Sequence, residues 1–226
     1  MVLAEESDAA RLQVEARANF GALPPVPAIP DDARVRLGHE LFWDTRLSAD
    51  GRTSCASCHH AADWGADRRS FSPDARGRMT ARNSQSVFNA MLQPALRWTG
   101  DRKSGAHQAE RSLTGSLGFT HATEVVPLLK RHGYEAAFTR AWPDDPAPLN
   151  PTRYAEALEA YQATLVTPAP FDRFLEGDLT ALSTRQQNGL RLFFEIGCVD
   201  CHSGPLLGGR GLKKFGVKRP YWEATG

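Results

Sequence analysis

Cys55-Ala56-Ser57-Cys58-His59 and Cys198-Val199-Asp200-Cys201-His202 are two copies of one pentapeptide pattern, and together they hold all four cysteines of the chain. Cysteines at i and i+3 stand about one helical turn apart, so both thiols can reach the two vinyl groups of one porphyrin as thioethers. The histidine that follows then reaches the iron as its proximal ligand. Two Cys-x-x-Cys pairs also suit an all-cysteine zinc site or two redox disulfides. Neither explains a histidine directly after both pairs, and the wide interval between the pairs is unlike a compact zinc ribbon. The motifs therefore predict two covalent c-type haems. Cys55, Cys58 and His59 hold one, Cys198, Cys201 and His202 the other, with His59 and His202 as the iron ligands.

The rest of the composition bounds the function. With 226 residues and a formal net charge of +1, acidic and basic residues interspersed, the chain shows neither a nucleic-acid footprint nor a polybasic membrane patch. No apolar run approaches the ~18 residues needed to span a bilayer, so an integral membrane protein is not expected. Haem is attached to thiols outside the cytoplasm, in a compartment such as the bacterial periplasm, which implies an export signal in the gene product. Met1-Val2-Leu3-Ala4 followed by the polar Glu5-Glu6-Ser7-Asp8 is too short to be one, and the expectation is a processed or re-engineered start.

Helical patterning runs through the whole chain, and strand signals are absent. Asp8 to Phe20 reads as an amphipathic helix ended by Pro24-Pro25-Val26-Pro27. Asp31 to Trp43 places Val35, Gly38, Leu41 and Phe42 on one face. Asp63 to Arg82 loses periodicity and reads as a loop lining a haem pocket, followed by a short helix from Ser86 to Leu92. Helices are expected at Ala122 to His132, at Tyr134 to Trp142, and at Tyr154 to Thr164, where Tyr154, Leu158, Tyr161 and Leu165 share a stripe and Thr152 is the expected N-cap. Thr167-Pro168-Ala169-Pro170 reads as a link between domains. Ser183 and Gln186 form a capping box for a helix through Ile196, stopped by Gly197. The expected fold is all-α, with two cytochrome c-like helical domains each around one haem, residues 1–166 and residues 167–226.

The blocks around both motifs resemble the bacterial di-haem cytochrome c peroxidase family, which includes the MauG-type oxidases. They are Leu37-Gly38-His39-Glu40-Leu41-Phe42-Trp43-Asp44-Thr45-Arg46-Leu47-Ser48, Arg82-Asn83 through Asn89 to Trp98, Ala157 through Leu165 to Phe171-Asp172-Arg173-Phe174-Leu175-Glu176-Gly177, then Gly204-Pro205-Leu206-Leu207-Gly208-Gly209 and Phe215-Gly216-Val217. The resemblance implies that peroxide is cleaved at the N-terminal haem and that the C-terminal haem takes electrons from a small donor. Axial ligation moves haem potentials over roughly 0.8 V, which makes such a division of labour workable. It further implies that Trp98 is the relay between the haems, that Gln108 is the distal hydrogen-bond donor, that Asn83 is a ligand of an interdomain calcium ion, and that the protein is a homodimer.

Three departures from the family pattern carry expectations. No histidine follows His60 in the loop before Arg82-Asn83, where classical members hold a ligand of the resting iron; Phe71-Ser72-Pro73-Asp74-Ala75-Arg76 stands there, implying an iron open without prior reduction. The distal glutamate register falls in Ser116-Leu117-Gly118-Phe119, leaving His107, His121, Glu124 or water to move the proton. The chain stops soon after Phe215-Gly216-Val217, before the family's distal ligand of the second haem, so it reads as a fragment or truncated product, with Lys213, Lys214, Lys218 or Tyr221 as makeshift ligands. The function expected is a periplasmic peroxidase reducing hydrogen peroxide with electrons from a small cytochrome c or blue copper protein. The alternatives are a MauG-type oxidase of a partner protein or small organic substrate, and a plain electron carrier.

Overall fold

The computed structural model describes residues 7–25, 32–208, 211 and 216. Among them all regular structure is helical, and the only β pairing is three isolated bridges. Eight α-helices follow in order: α1 (Asp8–Asn19), α2 (Ala33–Trp43), α3 (Gly105–Thr114), α4 (Val125–Arg131), α5 (Glu135–Ala141), α6 (Pro151–Gln162), α7 (Pro170–Leu175) and α8 (Thr184–Glu195). The chain divides into two units, one made of Leu23–Ala169 and the other of Met1–Ala22 with Pro170–Gly226.

In the unit spanning Leu23–Ala169, α6 is the central helix and packs against both α2 and α3. Its apolar side buries Tyr154, Ala155, Ala157 and Leu158, and α2 answers with Val35, Leu37, Leu41 and Phe42. The approach of α2 to α6 depends on Gly38: a Cβ there would overlap the Ala157 carbonyl oxygen and stand 2.8 Å from Tyr161 Cβ. Leu113 of α3, Leu129 of α4 and Phe138 of α5 close the same core.

The N-cap of α6 is Asn150, not Thr152. Asn150 Oδ1 accepts from Arg153 N at 2.9 Å, and Pro151, whose fixed φ suits the first helical position, puts Thr152 inside the helix. The helix expected over Ser86 to Leu92 shrinks to one 3₁₀ turn, Ala90–Leu92. Asn89 takes a left-handed φ of 59°, and its side chain grips Thr167, accepting from Thr167 N at 2.9 Å and donating to Thr167 Oγ1 at 2.8 Å.

The other unit corrects the linear division of the chain into 1–166 and 167–226. Helix α1 belongs with residues beyond 170, because its buried Leu12, Ala16 and Phe20 have their apolar partners in Phe174, Leu175 and Leu182. Gln13 Nε2 donates to Leu175 O at 2.6 Å, Asn19 O accepts from Gly204 N at 2.9 Å, and Arg191 pairs with Asp8. Helix α8 begins at the expected capping box, Ser183 with Gln186, and ends where Gly197 takes a φ of 78°.

Candidate haem sites

Both pentapeptides fold alike. Cys55–Ser57 and Cys198–Asp200 are single 3₁₀ turns. The amide of His59 donates to Cys55 O at 3.1 Å and that of His202 to Cys198 O at 2.9 Å. Each ring then points Nδ1 at a backbone carbonyl downstream, His59 at Gly65 O and His202 at Leu207 O, both at 3.0 Å. A carbonyl can only accept, so Nδ1 carries the proton and the lone pair of a neutral ring is left on Nε2. Fixing one ring nitrogen on a carbonyl so that the other is presented to a metal is how a ligating histidine is usually oriented.

The loop that supplies the first carbonyl is tightly made. His60 N donates to Ala66 O and Gly65 N to His60 O, while Trp64 and Gly65 both adopt positive φ. Ser84 Oγ lies 3.3 Å from the same His59 nitrogen. Burial, partly opposed by the hydrogen bond to Gly65, lowers the His59 pKa and favours the neutral ring. His60 is engaged elsewhere, with Nε2 2.9 Å from Ser57 O and Nδ1 3.3 Å from Asp63 Oδ2.

Cys55, Cys58 and His59 open onto a cavity of about 570 Å³, within the range of cofactor pockets. Burial pushes the Cys55 thiol up to about 12 and raises Cys58 as well, so neither is a ready thiolate for disulfide exchange. All four cysteines are free, and among the described residues no three His, Cys, Asp or Glu side chains gather as a metal cluster. The opposite chemistry, a large half-apolar cofactor with polar edges, fits the wall better. Phe42, Val87, Leu96, Leu117 and Leu158 line it, and two buried polar atoms facing no partner, Gln108 Oε1 and Arg102 Nε, belong to residues of the same wall.

The structure brings Gln108, Trp98 and Asn83 to this one cavity. Trp98 is 53% exposed, and its indole N–H donates to Asn83 O at 3.2 Å. Leu117 lines the wall in the expected glutamate register, while Phe119 is buried in the core. His107, His121 and Glu124 are exposed and outside the lining; His121 N and Glu124 Oε1 simply cap the turn before α4. Asp74 is the cavity's carboxylate among the described residues. Burial opposes its charge, but hydrogen bonds from the Arg78 side chain and from the backbone of Arg78 and Arg76 hold its pKa below the usual carboxylate range. It is therefore an ionised acceptor, not a proton donor, at neutral pH. The Phe71 to Arg76 loop is fastened through Ala75 N to Ser116 O at 2.8 Å and Arg76 Nε to Gly118 O at 2.7 Å.

Sequence reasoning missed two features here. Helix α3, which carries Gln108, was legible from its ends: Ser104 Oγ accepts from His107 N at 3.0 Å, and Gly115 closes the helix. Met91 also lines the cavity, with its sulfur against the α-carbon side of Gly105. In the other unit, His202 lies in a T-shaped contact with Phe193, 6.2 Å between centroids. Phe193 helps line an apolar groove of about 220 Å³ with Phe20, Phe171, Leu190 and Leu207. A Cβ at Gly189 in that groove would meet nothing within 4 Å, which leaves space for a flat ligand. Lys213, Lys214, Lys218 and Tyr221 lie outside the described residues.

The model of a protein family described as di-haem cytochrome c peroxidase matches residues 32–180. The chain belongs to the di-haem cytochrome c peroxidase family. It is 39% identical over 188 residues to a cytochrome c551 peroxidase of Pseudomonas aeruginosa, covering 81% of this chain and 54% of that protein. It is 35% identical over 176 residues to the methylamine utilization protein MauG of Methylophilus methylotrophus, covering 75% and 52%. A crystal structure of a MauG-like protein associated with microbial copper homeostasis superposes with a TM-score of 0.70 at 25% identity, over 86% of this chain and 61% of that one. The chain thus spans about half the length of the curated relatives it matches. Membership in this family implies two c-type haems, and the chain holds two Cys-x-x-Cys-His pentapeptides. No helix among the described residues is long and apolar enough to cross a membrane.

Proposed function

We propose that the chain carries the haem-binding machinery of a periplasmic di-haem peroxidase that reduces hydrogen peroxide to water with electrons from a small cytochrome c or a blue copper protein. Cys55, Cys58 and His59 would hold the peroxide-facing haem, and Cys198, Cys201 and His202 the electron-receiving one. When bound, the first supplies a metal that takes peroxide and the second supplies single electrons. The observation that carries this reading is the His59 ring, locked through Nδ1 on Gly65 O so that Nε2 is presented beside a cavity whose wall holds no other histidine among the described residues.

The protein's own groups then divide the work. The Gly65 carbonyl keeps the proton on Nδ1 and strengthens the ligand. Gln108, which the resemblance makes a hydrogen-bond donor, has a buried Oε1 without a partner, and that oxygen would instead accept from the O–H of an incoming peroxide. Because Asp74 is ionised and tied to Arg78 and Leu117 is apolar, water delivers the second proton. Trp98 carries electrons toward the cavity, and Asn83, already holding the Trp98 indole through its carbonyl, offers its side chain to calcium. A homodimer belongs to the same proposal.

That the one carboxyl of the wall among the described residues, Asp74, is ionised favours a second reading, slow oxidation of a partner protein or small organic substrate. Stopped-flow absorbance of the haem-loaded protein mixed with hydrogen peroxide, with and without a reduced small cytochrome, separates the two. Peroxide-dependent oxidation of the cytochrome is the result expected. Peroxide consumption with no oxidation of the cytochrome would select the second reading. No consumption, with a low-spin spectrum that Met91→Leu converts to high-spin, would overturn both in favour of an electron carrier closed by Met91.

A further inference from the structure

Four aromatic rings form a contact chain from the wall of the first cavity outward through α2 and α6. Phe42, buried and lining the cavity, has its ring centroid 5.3 Å from that of Tyr161 and 5.8 Å from that of Trp43. His39 completes the loop, 5.1 Å from Tyr161 and 6.4 Å from Trp43. Most of these contacts are edge-on or tilted, at separations where aromatic rings touch. Packing accounts for Phe42, but not for Trp43, which is 46% exposed and so surrenders much of the burial a tryptophan offers a core. The close approach of α2 to α6 at Gly38 brings the two helices together where these rings meet.

We propose that Trp43 and Tyr161 are a redox exit, through which one-electron phenolic reductants at the protein surface deliver electrons to the first cavity without entering it. The inference rests on the peroxidase reading and concerns a route other than Trp98, which itself lines the cavity. Hydrogen peroxide is the oxidant: it accepts two electrons and two protons and leaves as two waters. Trp43 and Tyr161 supply one electron each by way of the Phe42 contact and release the indole N–H and phenol O–H protons to water. Two molecules of the phenol, each losing one electron and one proton, restore them. Only tryptophan and tyrosine can be oxidised in this way; Phe42 is a bridge between them.

The test is to mix haem-loaded protein with equimolar hydrogen peroxide in the presence of a nitroso spin trap and to map adducts by peptide mass spectrometry. Oxidation of hydroquinone is followed in parallel. The expected result is trap adducts on Trp43 or Tyr161, with the Trp43 adduct lost in Trp43→Phe, the Tyr161 adduct lost in Tyr161→Phe, and both retained in Trp98→Phe. Both phenylalanine variants keep a ring in place, and melting curves of the haem-loaded proteins check that each folds as the parent does. Hydroquinone oxidation should be lost in the double variant Trp43→Phe with Tyr161→Phe. Peroxide consumption without adducts on either residue would overturn the exit while leaving the peroxidase reading intact. No peroxide consumption would overturn the peroxidase reading and the exit with it.

Discussion

Replacing Gly38 by alanine should destabilise the protein, although in an ordinary exposed helix the same change stabilises by about 1 kcal/mol. The new methyl group would overlap the Ala157 carbonyl oxygen, with Ala157 C at 2.6 Å and Tyr161 Cβ at 2.8 Å. Two of these three atoms are backbone of α6, whose neighbours Ala157 and Leu158 are fully buried, so the helix cannot yield by turning a side chain. Inserting one methyl into such a contact costs roughly 1–3 kcal/mol, and the backbone position places it at the upper end. After the gain in helix propensity is subtracted, a net loss of about 2 kcal/mol remains. Urea unfolding of the haem-free protein, followed by far-UV circular dichroism, reads this as a lower midpoint at unchanged slope. An unchanged or higher midpoint would refute the reasoning, because it would mean that α2 and α6 separate without penalty.

The acid limb of stability should depend on Asp44, whose side chain is 8% exposed and accepts from Arg46 and from the Tyr134 hydroxyl at 2.8 Å. Burial opposes its charge, yet these bonds lower its pKa from 3.8 to about 2, so its contribution is complete above pH 3.8 and disappears as pH falls through about 2. The shift corresponds to about 2 kcal/mol, reduced to about 1 because Arg46 is exposed to solvent; the midpoint difference between the parent and Asp44→Asn should vanish over that window, and a difference independent of pH would remove Asp44 as its source. Serine in place of both Cys55 and Cys58, or of both Cys198 and Cys201, should halve the covalent haem measured per chain, and a full complement in either variant would contradict the thioether assignment. Trp98→Phe should slow electron transfer between the haems with little effect on peroxide binding, and an unchanged transfer rate in flash photolysis would take Trp98 off the path.

Local signals in the sequence were readable wherever one residue type solved one local problem. The Ser183 and Gln186 box, the stripe of Tyr154 and Leu158 and the face of Val35, Gly38, Leu41 and Phe42 all recur in the structure, because caps and helical periodicity are short-range properties. The pentapeptides announced the haem chemistry for the same reason. What escaped was decided by distant partners. Asn89 breaks the helix expected around it by bonding to Thr167 across the unit, and α1 looks like any N-terminal amphipathic helix until its Leu12 and Phe20 meet Phe174 and Leu182. The carbonyls of Gly65 and Leu207 that orient the two histidines are backbone atoms, invisible to any reading of side chains.

Because α1 shares a unit with the residues from Pro170 onward, that unit can close only once both stretches are present. Helix α1 waits through the whole of the intervening unit for its partners, since the bond from Gln13 to Leu175 spans 162 positions. The unit of Leu23–Ala169 relies on distant partners too, with α2 packed on α6 and Tyr134 bonded to Asp44 90 positions away, but all of them lie between the two stretches that the other unit must join, a loop whose entropic burden grows only slowly with length. Until the two stretches are joined, Leu12, Ala16 and Phe20 of α1 lack the Phe174, Leu175 and Leu182 that cover them. Any factor that shields that helix would delay this unit and leave the unit of Leu23–Ala169 untouched.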